Sequence, residues 1–142
     1  MVSKLTLERK SVELNLLDDK NIIVYRLADI ILLRAEALNK TGNIPGAMAL
    51  VNQIRARAGA TAYTEASYNG LTTDQIEDLI LDERARELCY EGKRWFDLVR
   101  TGKAIKVMGP INGLSQAENF LWPLSLTEIR LNPLLDQNSY YQ

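Results

Sequence analysis

Between Val24 and Lys40 the apolar residues Ala28, Ile31, Leu32, Ala35 and Leu38 recur at three- and four-residue intervals, the period that lines one face of a helix. Thr41-Gly42-Asn43 ends the run, because glycine accepts the left-handed turn beyond a last helical residue without steric penalty. Pro45 stands where a first-turn proline is tolerated, so a second helix is predicted from there to Arg57, before Ala58-Gly59. Ala35, Leu38, Gly42, Ala47, Val51 and Ile54 follow the small, large, glycine, small, large, large order of a tetratricopeptide helix pair. The spacing has a mechanical reason: small residues let two helices approach closely, and the glycine permits the reversal between them. Farther on, Thr72 with Gln75 makes a capping box for a helix that leads through Ile76, Leu79 and Ile80.

That third helix runs into the most charged stretch of the chain. Ten of the nineteen residues from Asp82 to Arg100 are charged, five acidic and five basic, yet Leu88, Cys89, Trp95, Phe96, Leu98 and Val99 are threaded among them. Ile76, Ile80, Glu83 and Glu87 fall on one helical stripe, so two carboxylates continue a line that two isoleucines begin. Glu83 or Glu87 is therefore expected to be buried and bonded to an arginine, with Arg84, Arg94 and Arg100 as the donors, since a carboxylate leaves water only with a hydrogen-bonded partner. Gly92 interrupts the run and predicts helix, glycine break, second helix, with Trp95 and Phe96 folding back onto the first. Cys89 is expected to be a small buried hydrophobe. Arg84-Ala85, Leu88 and Gly92 echo Arg34-Ala35, Leu38 and Gly42, the mark of a second, degenerate helix pair.

The ends are less periodic. Leu5 and Leu7, then Val12, Leu14 and Leu16, alternate with polar residues, and Asp18-Asp19-Lys20-Asn21 is a turn signal before Ile22-Ile23-Val24, which together predict a hairpin or extended arm. Residues 60–72 are small and polar and read as a loop whose Tyr63 and Tyr68 are candidate sugar or partner contacts, although packing back on the helices is the favoured reading. Residues 103–119, with Gly109, Pro110 and Gly113, read as loop; Phe120 to Leu124 reads as extended, and Ser125 to Ile129 as a short capped turn of helix. The predicted fold is thus mostly all-α and a single domain over 1–142: tetratricopeptide-like helix pairs over 24–100, a short N-terminal hairpin or arm over 1–23 and a loop-rich C-terminal tail over 101–142.

Three stretches in matching order carry a resemblance to a known family. They are Tyr25-Arg26-Leu27-Ala28-Asp29 with Leu33-Arg34-Ala35-Glu36-Ala37; Glu83-Arg84-Ala85-Arg86-Glu87-Leu88 followed by Glu91-Gly92-Lys93-Arg94-Trp95-Phe96-Asp97-Leu98-Val99-Arg100; and Trp122-Pro123-Leu124, Glu128-Ile129, Asn132-Pro133 and Gln137-Asn138. Over residues 22–142 the chain resembles the C-terminal region of the SusD/RagB family of outer-membrane nutrient-binding lipoproteins. The resemblance implies a non-catalytic glycan-binding subunit that caps a TonB-dependent transporter and hands it oligosaccharide. It implies that Arg26, Glu36, Glu83, Arg84, Glu87, Glu91, Gly92, Arg94, Trp95, Asp97 and Arg100 form a structural signature that joins helices, because sugar recognition in the family lies mostly outside this region. It also implies a tail that wraps across the helices. The opening Met1-Val2-Ser3-Lys4 runs straight into Leu-Thr-Leu-Glu-Arg without a secretory leader, whereas the family's longer members begin with one and are anchored through a lipidated cysteine. The chain is therefore expected to be the C-terminal portion of such a protein. Val24 to Leu38 is apolar on nearly every face, so this portion alone is expected to leave Ile30, Ile31 and Leu33 short of partners and to self-associate or lose stability.

Composition narrows the chemistry. With 142 residues, 46% of them hydrophobic, the chain has enough length for one core. A net charge of -1 without a basic run argues against nucleic acid as a partner. One cysteine precludes an intrachain disulfide, and the absence of histidine removes the commonest general base and metal ligand. No cofactor or metal pattern is found, and nothing resembles a phosphate loop. Paired carboxylates, as in glycoside hydrolysis, are the one catalytic constellation the composition allows, and Glu83, Glu87 and Glu91 repeat every four residues on one helix face, but neighbouring arginines lower a carboxylate pKa, the wrong direction for a general acid. An enzyme is therefore not expected, and no catalytic residue is assigned. A helical-repeat module that binds protein is the alternative to glycan binding.

Overall fold

The computed structural model describes residues 23–116 and 120–142; the strand and turn signals over residues 1–22 lie outside them. Helix α1 spans Leu27–Lys40 and α2 spans Ile44–Arg57. A single turn, α3, covers Glu65–Tyr68, and α4 covers Thr73–Glu87. Then come α5 at Arg94–Arg100, α6 at Ala104–Asn112, α7 at Leu126–Leu131 and a closing 3₁₀ turn at Ser139–Tyr141. Among the described residues there is no strand, and no helix long and apolar enough to cross a membrane.

The core is a three-helix cluster in which α1, α2 and α4 pack on one another, and its members are the residues whose spacing predicts the helices. Leu32, Ala35, Ala47, Met48, Val51, Ile76 and Ile80 are fully buried. Alanines at 35 and 47 let the α1 and α2 backbones come close, as the helix-pair pattern requires. Gly42 makes the reversal with φ +83°, and the amides of Thr41, Gly42 and Asn43 return to the carbonyls of Ala37, Asn39 and Leu38. Asn43 caps α2 by accepting from the Gly46 amide at 3.0 Å, with Pro45 inside the first turn. The Thr72–Gln75 capping box at the start of α4 is formed reciprocally, at 3.3 Å and 2.8 Å.

Three expectations are corrected. Residues 104–112 form helix α6 where a loop is predicted. Pro110 falls late in it, so the missing amide leaves only the Lys106 carbonyl unserved, and Gly113 terminates it in the left-handed conformation. Cys89 is exposed, because α4 ends at Glu87 and the cysteine belongs to the turn that follows. Phe96 is also exposed; Trp95 is half-buried and meets Phe120 of the tail edge to face, with centroids 5.6 Å apart, as well as lying beside α4. The tail turns back on itself, with Gln137 bonding both the amide and the carbonyl of Leu124. On α1, Ile30 is exposed while Ile31 and Leu33 are half-buried, and Ile23, Val24, Tyr25 and Leu27 are exposed beside it.

Candidate functional site

The sequence signature assembles into buried ionic clusters between helices. Arg84, only 3% exposed, projects from α4 into the gap between α1 and α5. Its Nε donates to Asp97 Oδ2 at 2.8 Å and lies 3.4 Å from Glu36 Oε1, its Nη2 is 2.8 Å from Asp29 Oδ1, and its Nη1 donates to the Asp29 carbonyl at 3.3 Å. Both Asp29 oxygens are ion-paired, Oδ2 with Lys93 Nζ at 3.3 Å, although neither receives an aligned hydrogen bond. Arg100 closes the group, gripping Glu36 with two bonds of 2.6 and 2.7 Å and Asp97 Oδ1 with two more, of 3.1 and 2.7 Å. Those bonds to Glu36, opposed by burial and assisted by Asp97, raise the Arg100 pKa, so the cation is permanent.

The second cluster gathers at the C-terminal end of α4, around Glu83, Glu87 and Glu91. Arg26 donates from Nε to both oxygens of Glu91 at 2.9 and 3.0 Å, from Nη2 to the Glu87 carbonyl at 2.5 Å and from Nη1 to the Glu87 carboxylate. Its bond to Glu91 is the main reason its pKa is raised. Arg57 reaches the same Glu87 carboxylate at 2.5 Å. Burial pushes Glu87 up, but the bonds from Arg26 and Arg57 outweigh it and leave its pKa below the ordinary value. Glu83 is buried and takes Arg55 at 2.6 Å and Arg86 at 3.2 Å. Inward carboxylates on α4 are thus as expected, but their partners are Arg26, Arg55, Arg57 and Arg86; Arg84, Arg94 and Arg100 serve elsewhere. Arg94 Nη1 donates to the Leu81 carbonyl at 2.8 Å, and its Nη2 stands 3.6 Å from Asp82. Gly92, at φ +72°, makes the break between α4 and α5.

A third cluster has no counterpart in the predicted set. Lys103, 6% exposed at the start of α6, donates to Asp74 at 2.7 Å and Asp78 at 2.6 Å and lies 3.4 Å from Glu77, which Lys40 also holds at 2.6 Å. Burial lowers the lysine pKa, but the bonds to Asp74 and Asp78 prevail and raise it. Asp29 and Asn39 also lie outside the predicted set, and for them the readable signal is on α1: both share one stripe with Leu32 and Glu36, so polar residues in that register had to be buried. Asn39 does donate to the Thr73 carbonyl at 2.9 Å.

Tyr63 and Tyr68 are half-buried against the core cluster. Arg55 lies over the Tyr63 ring at 4.4 Å, and Asn52 bonds both the amide and the carbonyl of Tyr63 at 2.8 Å. Among the described residues no group of three or more metal-ligating side chains converges. Open clefts line α5. One of about 640 Å³ is bounded by Tyr25, Asp29, Leu33, Lys93 and Phe96; one of about 730 Å³ by Trp95, Phe96, Phe120 and Trp122; a smaller one, of about 340 Å³, by Tyr90, Arg94 and Trp95.

A framework of arginine-bound carboxylates joining a helix pair to a third helix, with a glycine break and an aromatic pair after it, is what the sequence resemblance implies. The sequence profile of the SusD family matches residues 4–141. The chain belongs to the SusD family. It is 47% identical over 129 residues to SusD-like protein P38 of Formosa agariphila, covering 88% of this chain and 25% of that one. To the starch-binding protein SusD of Bacteroides thetaiotaomicron it is 33% identical over 132 residues, covering 87% of this chain and 22% of the other. Its fold matches the crystal structure of a SusD superfamily protein from Bacteroides thetaiotaomicron with a TM-score of 0.71 and 35% identity, over 85% of this chain and 26% of that one. This SusD-family chain therefore spans about a quarter of the length of the relatives it matches, and its mostly helical, tetratricopeptide-like architecture is that of the family.

Proposed function

We propose that this chain is the C-terminal helical scaffold of a non-catalytic glycan-binding protein, a cell-surface lipoprotein of the outer membrane that passes oligosaccharide to a TonB-dependent transporter. The observation that carries the reading is the family match over residues 4–141. On this reading 1–142 is one domain, and the signature from Arg26 to Arg100 holds helices together without touching sugar. The arginine-bound state of Glu83, Glu87 and Glu91 supports a non-enzymatic role, since a general acid needs a raised pKa and Glu87 has a lowered one. The protein-binding alternative draws on the exposed Leu27 and Ile30 of α1. A panel of oligosaccharides titrated calorimetrically, beside a pull-down against a TonB-dependent transporter, tests both. Saturable binding of an oligosaccharide that is recovered uncleaved supports glycan binding; capture of the transporter with no affinity for any glycan would favour the interaction module.

A further inference from the structure

The segment that leads into α1 hangs on one side chain. Ile23, Val24 and Tyr25 are exposed, and among the described residues their backbone makes a single hydrogen bond, donated by Lys93 Nζ to the Val24 carbonyl at 2.5 Å. The same ammonium stands 4.0 Å from the centre of the Tyr25 ring, a cation–π contact, and 3.3 Å from Asp29 Oδ2. The turn after α4 brings it there: Tyr90 at φ +67° and Gly92 at φ +72° bend the chain back, and Lys93 follows as the residue that opens α5. Ile23, Val24 and Tyr25 form part of the wall of the cleft of about 640 Å³ that opens onto Asp29 and Arg84. Lys93 thus joins an exposed segment to the buried central cluster, where Asp29 has two counterions, Arg84 and Lys93 itself. A short exposed stretch with so few backbone bonds opens at low cost.

We propose that residues 23–25 are a strap over this cleft, that Lys93 is its latch, and that Asp29 couples the latch to the central cluster. In the closed state the ammonium holds the Val24 carbonyl and the Tyr25 ring while it neutralises Asp29. In the open state Lys93 lets go of both, the strap swings out and water enters the cleft down to Asp29. The two states lie close in free energy because of how Asp29 is held. Its carboxylate receives no aligned hydrogen bond in the closed state, so the water that arrives on opening offsets part of the loss of the lysine. The strap is therefore a two-state element and not a fixed wall. It does not depend on what the protein binds, and it gives the chain ahead of α1 a mechanical hold on the ionic core.

Backbone nitrogen relaxation, measured on the full chain, reads the strap directly. The amides of Val24 and Tyr25 are expected to be ordered in the native chain and to fall below an order parameter of about 0.6 in Lys93→Met, while α1 stays near about 0.85. Lys93→Arg keeps a donor and a cation that stacks on the Tyr25 ring, so order should persist. Asp29→Asn should loosen the strap as Lys93→Met does, although the Asp29 carboxylate makes no hydrogen bond to it. A second measurement needs no substitution: acetylation of the native chain, followed by mass spectrometry, should modify Lys93 several-fold more slowly than Lys40 and Lys106, whose side chains are 59 and 65% exposed against 20% for Lys93. A strap already disordered in the native chain, one that stays ordered in Lys93→Met, one as loose in Lys93→Arg as in Lys93→Met, or acetylation of Lys93 as fast as that of Lys106 overturns the latch. A strap that Asp29→Asn leaves ordered overturns the coupling.

Discussion

Replacing Arg84 by methionine asks what the central cluster contributes. The guanidinium is 3% exposed and faces Asp29, Glu36 and Asp97, which are themselves 1, 7 and 3% exposed. Methionine keeps the stem and fills most of the volume, so the loss is one of charge and hydrogen bonds. Glu36 and Asp97 retain Arg100 at 2.6 and 2.7 Å, but Asp29 keeps only Lys93 at 3.3 Å. A buried carboxylate left so poorly matched costs about 3–5 kcal/mol. With a urea m-value of about 2 kcal/mol/M for a small protein, the unfolding midpoint should drop by about 2 M at unchanged m. Neutralising the orphan should return part of it: Arg84→Met with Asp29→Asn is expected to be more stable than Arg84→Met alone by about 1 kcal/mol or more, a coupling that distant sites do not show. Because the pair is buried, 0.5 M salt should change neither value much. A loss below about 1 kcal/mol for Arg84→Met, the scale of an exposed ion pair, would refute the claim that this cluster locks α1, α4 and α5 together.

Trp95→Ala is expected to cost about 2 kcal/mol, less than a core tryptophan because the ring is half-buried, and calorimetric melting of the variant checks it. Tyr90→Gly should stabilise by about 1 kcal/mol through relief of its positive φ, which the same melting curves would show. On the acid side, Glu87 has a lowered folded pKa; its contribution is present above the unfolded value of about 4.3 and is lost as pH falls through the folded one, so Glu87→Gln should flatten the acid limb of stability against pH. Lys103 has the opposite sign: its raised folded pKa gives stability that is full below an unfolded value of about 10.4 and is lost as pH rises through the folded one, so Lys103→Met should flatten the alkaline limb.

Where one local rule decides an element, the sequence was enough to read it. The helix pair follows from Ala35, Ala47, Val51 and the Gly42 reversal, and the start of α4 from one capping box, since each rests on neighbours within a turn. Helix α6 was hidden because Gly109 and Pro110 weigh against a helix wherever they stand, although a proline near the end forfeits a single carbonyl partner. That α4 carries inward charge was legible from the stripe of Ile76, Ile80, Glu83 and Glu87; which arginine meets which carboxylate was not, because Arg26, Arg55 and Arg57 arrive from other helices at angles set by backbone packing. Cys89 and Phe96 were misplaced for a related reason: apolar residues beside a helix end face wherever the turn aims them, and Gly92 aims Phe96 outward. Lys103 and its three carboxylates went unseen because their partners lie 25 to 29 positions apart.

The measurement that bears most directly on the account is a titration of the longer protein proposed to carry this scaffold with a panel of neutral and acidic oligosaccharides, followed by chromatography of each sugar after long incubation. Saturable binding with the oligosaccharide recovered intact is the result expected of a non-catalytic glycan-binding protein. Release of shorter sugars, abolished by Glu83→Gln or Glu87→Gln, would contradict it, because carboxylates held by arginine in a structural framework have no bond to break.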